Sequence, residues 1–205
     1  MIVQQVEKHV VNKTHPHYTM LCEFTHQTKN LYNYANYLVR KEFVESGKWL
    51  RYYELCKLLR QDRDYPDYTN MPAAKSAQQT LRLLDANWNS FFKSIKDWSK
   101  NKDKYSGRPK LPKYKPKDGQ TILFVTNQQV KQNEDVLTFP KSFRGFTLKP
   151  RCIELDNFEK LNQVRIVPCS QIFCVEIVYS VTINDTPFQD NGRIMSIDLG
   201  LDNLA

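Results

Sequence analysis

IFCVEIVYSVTI, residues 172–183, alternates with a period of two. Phe173, Val175, Ile177, Tyr179, Val181 and Ile183 fall on one face of an extended chain. Aromatic and β-branched residues in that spacing make a strand with one face buried. Shorter runs of the same character precede it: TILFVTN (121–127), VLTFP (136–140), FTLKP (146–150) and VRIVP (164–168), each bounded by turn residues. Antiparallel pairing closes so many short strands most simply, so a small antiparallel β-barrel is expected. A turn-rich link, NDTPFQDNG (184–192), separates it from a last strand that starts at Arg193. At the other end, residues 1–11 carry Ile2, Val3, Val6, Val10 and Val11 and read as a further strand. His15-Pro16-His17 ends it. No third ligand lies near these histidines, so a turn is the better reading than a metal site.

Between the first strand and the others the period changes. Leu21, Phe24, Leu31, Ala35, Leu38 and Phe43, with Thr28 filling the stripe, step along one helix face over residues 18–44, and Ser46-Gly47 supplies the stop. A shorter helix is predicted over 50–60. RDYPDYTNMP then forms a polar linker, with Asn70 as the expected N-cap and Pro72 near the first helical position. The clearest seam follows: Ala77, Leu81, Leu84, Trp88, Phe91, Ile95 and Trp98 alternate steps of four and three. That period matches burial against neighbouring helices better than it matches a base-stacking stripe.

With 205 residues the chain holds one large domain or two small ones, and 12% aromatic residues argue against disorder. No apolar run reaches transmembrane length and the N-terminus does not resemble a signal peptide, so a cytoplasmic, membrane-free protein is expected. The five cysteines, Cys22, Cys56, Cys152, Cys169 and Cys174, lack the spacing of a zinc site and are read as reduced, structural thiols.

Charge is concentrated. Residues 100–117, KNKDKYSGRPKLPKYKPK, hold eight Lys or Arg against one Asp, a surplus of seven in a chain whose net charge is +8. Three prolines and a glycine keep this stretch from forming a regular helix. Its cations, Lys100, Lys102, Lys104, Arg108, Lys110, Lys113, Lys115 and Lys117, suit a phosphate backbone, and Tyr105 and Tyr114 suit stacking on bases or riboses. A solvated linker is the plainer alternative. The concentration of charge favours nucleic acid.

IMSIDLG places Asp198 in an apolar strand two residues before Gly200. A carboxylate there needs a cation or a metal as partner. Two-metal phosphodiester cleavage uses such acids in clusters, and one acid cannot hold two ions.

Taken together, GRPKLPKYK (107–115), FVTNQQVK (124–131), LTFPK (137–141) and SIDLGLDNLA (196–205) make the chain resemble the N-terminal half of the transposon-encoded TnpB family, the OrfB-type transposases related to type V CRISPR effectors. Their order and spacing cover essentially the whole chain. The resemblance implies an α+β protein: a wedge or OB-like β-barrel with an inserted helical recognition lobe, followed by the first strand of an incomplete ribonuclease H-like (RuvC) domain. The implied boundaries are a first barrel strand at 1–14, the helical lobe at 15–99, a basic linker at 100–119, the rest of the barrel at 120–186 and the start of RuvC at 193–205. It further implies an RNA-guided DNA endonuclease that acts in transposition and DNA recombination, with guide RNA and target DNA as partners. Asp198 matches the first of three magnesium-binding catalytic acids. The other two and the family's zinc insertion have no counterpart in this sequence. Catalysis would therefore need a complementing RuvC chain, and these residues are expected to bind rather than cut. The alternative is an independent DNA- or RNA-binding adaptor or repressor without nuclease activity.

Overall fold

A computed structural model describes residues 1–183; the link at 184–192, the strand expected from Arg193 and Asp198 lie outside the described residues. In chain order the elements are β1 (Ile2–Val11), α1 (Tyr18–Ser46), α2 (Tyr52–Gln61), α3 (Ala74–Lys100), β2 (Leu123–Thr126), β3 (Lys131–Asn133), β4 (Val136–Thr138), β5 (Thr147–Leu148), β6 (Phe158–Cys169) and β7 (Ile172–Thr182). The fold is α+β, with two antiparallel sheets among the described residues, ordered β1-β7-β6-β2 and β3-β4-β5.

The alternating run at 172–183 forms β7, the strand on which the larger sheet is built. It pairs with β1 over its full length, from Ile2 opposite Thr182 to Val11 opposite Phe173. On its other side it forms a hairpin with β6, whose tight turn holds Ser170 at a φ of 55°. Phe173, Val175, Ile177 and Val181 are fully buried, as the period of two requires, whereas Ile183 at the end of the face is 39% exposed. Because β1 pairs with β7, the three helices lie in sequence between one sheet strand and its partners.

No closed barrel forms among the described residues, which corrects the expectation. β1 and β2 are free edges of the larger sheet. β3, β4 and β5 are only three, three and two residues long and hydrogen-bond to one another alone. Strands this short cannot bridge one edge to the other, so the open sheet is covered by helices instead.

The cover is α1 and α3. Leu21, Leu31 and Ala35 of α1, Leu81, Leu84 and Trp88 of α3, Leu123 and Val125 of β2, and Val164 and Ile166 of β6 join the β7 face in one buried cluster. Each large apolar side chain removed from water contributes about 1.5–3 kcal/mol before entropy is counted. Tyr18 meets Phe173 with ring centroids 5.2 Å apart. Thr121 N–H donates to Thr25 O at 3.2 Å, and the Ser76 hydroxyl donates to Phe124 O, tying both helices to the sheet. The turn at His15 and His17 packs both rings edge-on against Phe146. Glu7 latches β1 to the 151–152 turn by accepting from Arg151 N (3.0 Å) and Cys152 N (2.8 Å). Burial disfavours its charge, yet those two amides hold the carboxyl below its ordinary range.

Helix ends follow their own chemistry. Gly47 takes the left-handed conformation (φ 72°) and its N–H donates to Phe43 O at 3.0 Å, stopping α1 where Ser46-Gly47 predicted. The expected cap of α3 is corrected. Asn70 closes a tight turn, its N–H donating to Pro66 O at 2.9 Å, and the helix begins four residues later, at Ala74. The Gln129 carboxamide serves that end: oriented to satisfy its neighbours, its oxygen accepts from Ala74 N (3.1 Å) and Lys75 N (3.2 Å).

Candidate nucleic-acid interface

The basic segment is a docked strap. Beyond α3 it makes one tight turn at Lys102–Lys104 and then runs extended along α1. Four α1 side chains at helical spacing, Lys29, Asn33, Asn36 and Arg40, grip its backbone. Lys29 Nζ donates to Lys117 O at 2.5 Å. Asn33 makes a two-way pair with Lys115, Nδ2 donating to O at 2.9 Å and Oδ1 accepting from N at 2.8 Å. Asn36 Nδ2 and Arg40 Nη2 both donate to Pro112 O, at 3.0 and 2.6 Å. Asn36 is fully buried and Lys29 is 4% exposed. Asn36 Oδ1 also accepts from Trp88 Nε1 at 3.0 Å, so the strap, α1 and α3 meet at one amide. Proline-rich extended chain has carbonyls free of secondary structure, and this row of donors satisfies them.

With the backbone turned to α1, several cations are left outside. Lys110, Lys113 and Lys117 are exposed, as are Arg108, Lys100, Lys102 and Lys104. Lys102 and Arg108 flank Trp98 at 5.4 and 6.0 Å from its ring centre. Lys115 differs: it is half-buried, with its ammonium 5.3 Å over the Tyr32 ring. The two tyrosines part company. Tyr105 donates its hydroxyl to Asp97 Oδ2 at 2.7 Å, which raises the phenol's pKa and holds the Asp97 carboxyl below its ordinary range. That bond staples the strap's start to α3. Tyr114 is 44% exposed and carries the Arg40 guanidinium 4.6 Å from its ring centre.

Lys110, Lys113, Tyr114 and Lys115 come together on one cleft of about 500 Å³, whose opposite wall is the α3 face of Asn87, Ser90, Phe91 and Ser94. The second half of the α3 seam explains the opening. Ala77, Leu81, Leu84 and Trp88 are fully buried, but Phe91, Ile95 and Trp98 remain half-exposed where the helix runs past the sheet and only the strap covers it.

A second surface carries no distinctive signal in the sequence. A polar cleft of about 300 Å³ is lined by Lys75, Gln78, Gln79 and Arg82 of α3, by Thr126, Asn127 and Gln128 after β2, and by Asn162 and Gln163 of β6. The four α3 residues sit at spacings of three, one and three, a helix face opposite the apolar seam. Such a polar face is common on any surface helix, and only the fold sets it beside the amides of β2 and β6. Carboxamides and guanidinium groups are the side chains that pair bidentately with base edges. Arg82 extends the surface to Tyr52, lying 4.5 Å over its ring, and Tyr53 beside it is 78% exposed.

Among the described residues, no group of three or more His, Cys, Asp or Glu side chains is placed to hold a metal ion, and no helix is long and apolar enough to cross a membrane. All five cysteines are unpaired thiols. Cys56 and Cys152 are buried, while Cys169 is exposed beside the β6–β7 turn. Burial and the Glu7 carboxylate push the Cys152 thiol up to about 12, which keeps it protonated and unreactive. An α+β scaffold carrying a basic strap and an amide-lined cleft defines a surface for polyanions. No protein-family model matches the chain, and no curated protein matches it.

Proposed function

We propose that these residues are the nucleic-acid-binding half of a TnpB-like RNA-guided DNA endonuclease, engaging guide RNA and target DNA. The observation that carries this reading is the docked strap. Its backbone is satisfied by α1, so Lys110, Lys113 and Lys117 stand as a pre-ordered row of exposed cations that loses little entropy on meeting phosphates. The amide-lined cleft supports it further, because Gln78, Gln79, Arg82 and Asn127 offer donors and acceptors suited to base edges in a duplex groove. In this reading the sheets belong to a wedge or OB-like unit, the helices are the recognition lobe, and Asp198 is the first magnesium-binding acid of a RuvC domain.

The test is a salt series of binding to a structured RNA. Neutralising Lys110, Lys113 and Lys117 together to Gln should weaken binding and flatten the slope of log affinity against log salt by roughly two units, at about 0.7–0.9 per phosphate neutralised. The triple variant's melting temperature should match that of the unsubstituted protein, because none of the three ammonium groups holds the strap. Salt-independent binding, or a triple variant that binds as well as the parent, would overturn the reading.

A further inference from the structure

We propose that the cleft between the strap and α3 is a pocket for one unpaired nucleotide of a folded RNA, a base splayed out of a loop or bulge. This rests on the nucleic-acid reading above and adds to it a site that admits what a smooth backbone-tracking surface does not.

The volume, about 500 Å³, lies within the range that encloses small organic ligands. The lining has the three parts that an extruded nucleotide needs. Tyr114 is the stacking platform. Arg40 holds its ring 4.6 Å away while also donating to Pro112 O at 2.6 Å, so platform and strap are fixed by one guanidinium, and the ring keeps 44% of its surface free. Ser90 and Ser94 supply hydroxyls along α3. The Ser90 proton is engaged with Ala86 O at 2.9 Å, which leaves its oxygen to accept from an exocyclic amine or a ribose hydroxyl. Lys110 and Lys113 stand at the exposed strap side, where the phosphates of a splayed nucleotide would lie. Phe91 gives the wall an apolar patch. Unpaired bases stacked on aromatic side chains are the usual route to selective RNA binding, since paired RNA hides its base edges in a narrow major groove.

The experiment compares two RNA hairpins, identical except that one carries a single bulged 2-aminopurine and the other is fully paired. The bulged RNA should bind about tenfold more tightly, the worth of one base–aromatic stack, and its fluorescence should be quenched. Tyr114→Ala should abolish both the preference and the quenching, and Tyr114→Phe should restore them. Ser90→Leu with Ser94→Leu fills the cleft from a helix that tolerates leucine and leaves every charge in place; it too should remove the preference. Equal affinity for both hairpins with a steep salt dependence overturns the pocket and leaves the nucleic-acid reading standing. A preference that survives the filled cleft also overturns the pocket. No salt-dependent binding to either hairpin overturns both.

Discussion

Asn36 shows how one buried amide can decide a surface. It stands fully buried on α1, donating to Pro112 O and accepting from Trp88 Nε1. Asn36→Ala would not orphan the Pro112 carbonyl, because Arg40 also donates to it at 2.6 Å. The Trp88 indole N–H is the group left without a partner, in a residue with no solvent exposure. An unsatisfied buried donor costs about 1–3 kcal/mol, and in a domain of this size about 2 kcal/mol lowers the melting temperature by roughly 4–8 °C. Adding Trp88→Phe to Asn36→Ala removes the orphan donor, so the double variant should lose less than the sum of the two single losses. Calorimetry on the four proteins measures this coupling; strictly additive losses would show that the amide does not link the two helices.

At the scale of elements, legibility in the sequence depends on how many faces each element buries. The β7 run announces itself because one face is apolar and period two is unmistakable. α1 is only half legible. Its apolar stripe through Leu21, Leu31 and Ala35 is visible, but the second row of Lys29, Asn33, Asn36 and Arg40 looks like an ordinary solvated face. Only the strap, a little over 80 residues along the chain from Asn33, turns those polar residues inward. The same distance effect hides the cap of α3, since Gln129 reads as a loop residue until the fold brings it to Ala74 N. β3, with the sequence KQN and every residue exposed, carries no apolar signal at all. Strap docking is testable at this scale. Asn33→Ala deletes two hydrogen bonds, each worth about 0.5–1.5 kcal/mol, so local opening of the strap should rise about tenfold. Trypsin reports it: Lys113-Tyr114 is a cleavable bond, whereas Arg108-Pro109 and Lys115-Pro116 resist because proline follows. Cleavage after Lys113 should accelerate about tenfold in Asn33→Ala, while global stability falls by no more than the two bonds are worth. Equal rates would mean that the strap is already open.

For the molecule as a whole, the two clefts divide the work of recognition. They share no lining residue: one is built from the strap and the α3 face at Asn87–Ser94, the other from the start of α3 with β2 and β6. Their chemistry also differs. Lysines on the strap are point charges that meet phosphates without regard to sequence, whereas the Gln78, Gln79, Asn127 and Arg82 side chains have directional donors and acceptors. Variants should therefore separate. Lys110→Gln and Lys113→Gln should weaken all sequences alike, and each should reduce the salt slope by about 0.7–0.9. Gln79→Ala with Asn127→Ala should leave the slope unchanged and cut discrimination between the preferred duplex sequence and a one-base-pair mismatch by about tenfold, the order of 1–3 kcal/mol expected for one bidentate base pairing. Because the surfaces are built from different residues, the combined variant should show the two effects adding within about 0.5 kcal/mol. Binding titrations over a randomised duplex library at three salt concentrations measure both quantities at once. If the amide variants instead flattened the salt slope and left the sequence ranking intact, the polar cleft would be a second phosphate surface, and sequence would have to be read elsewhere on the molecule.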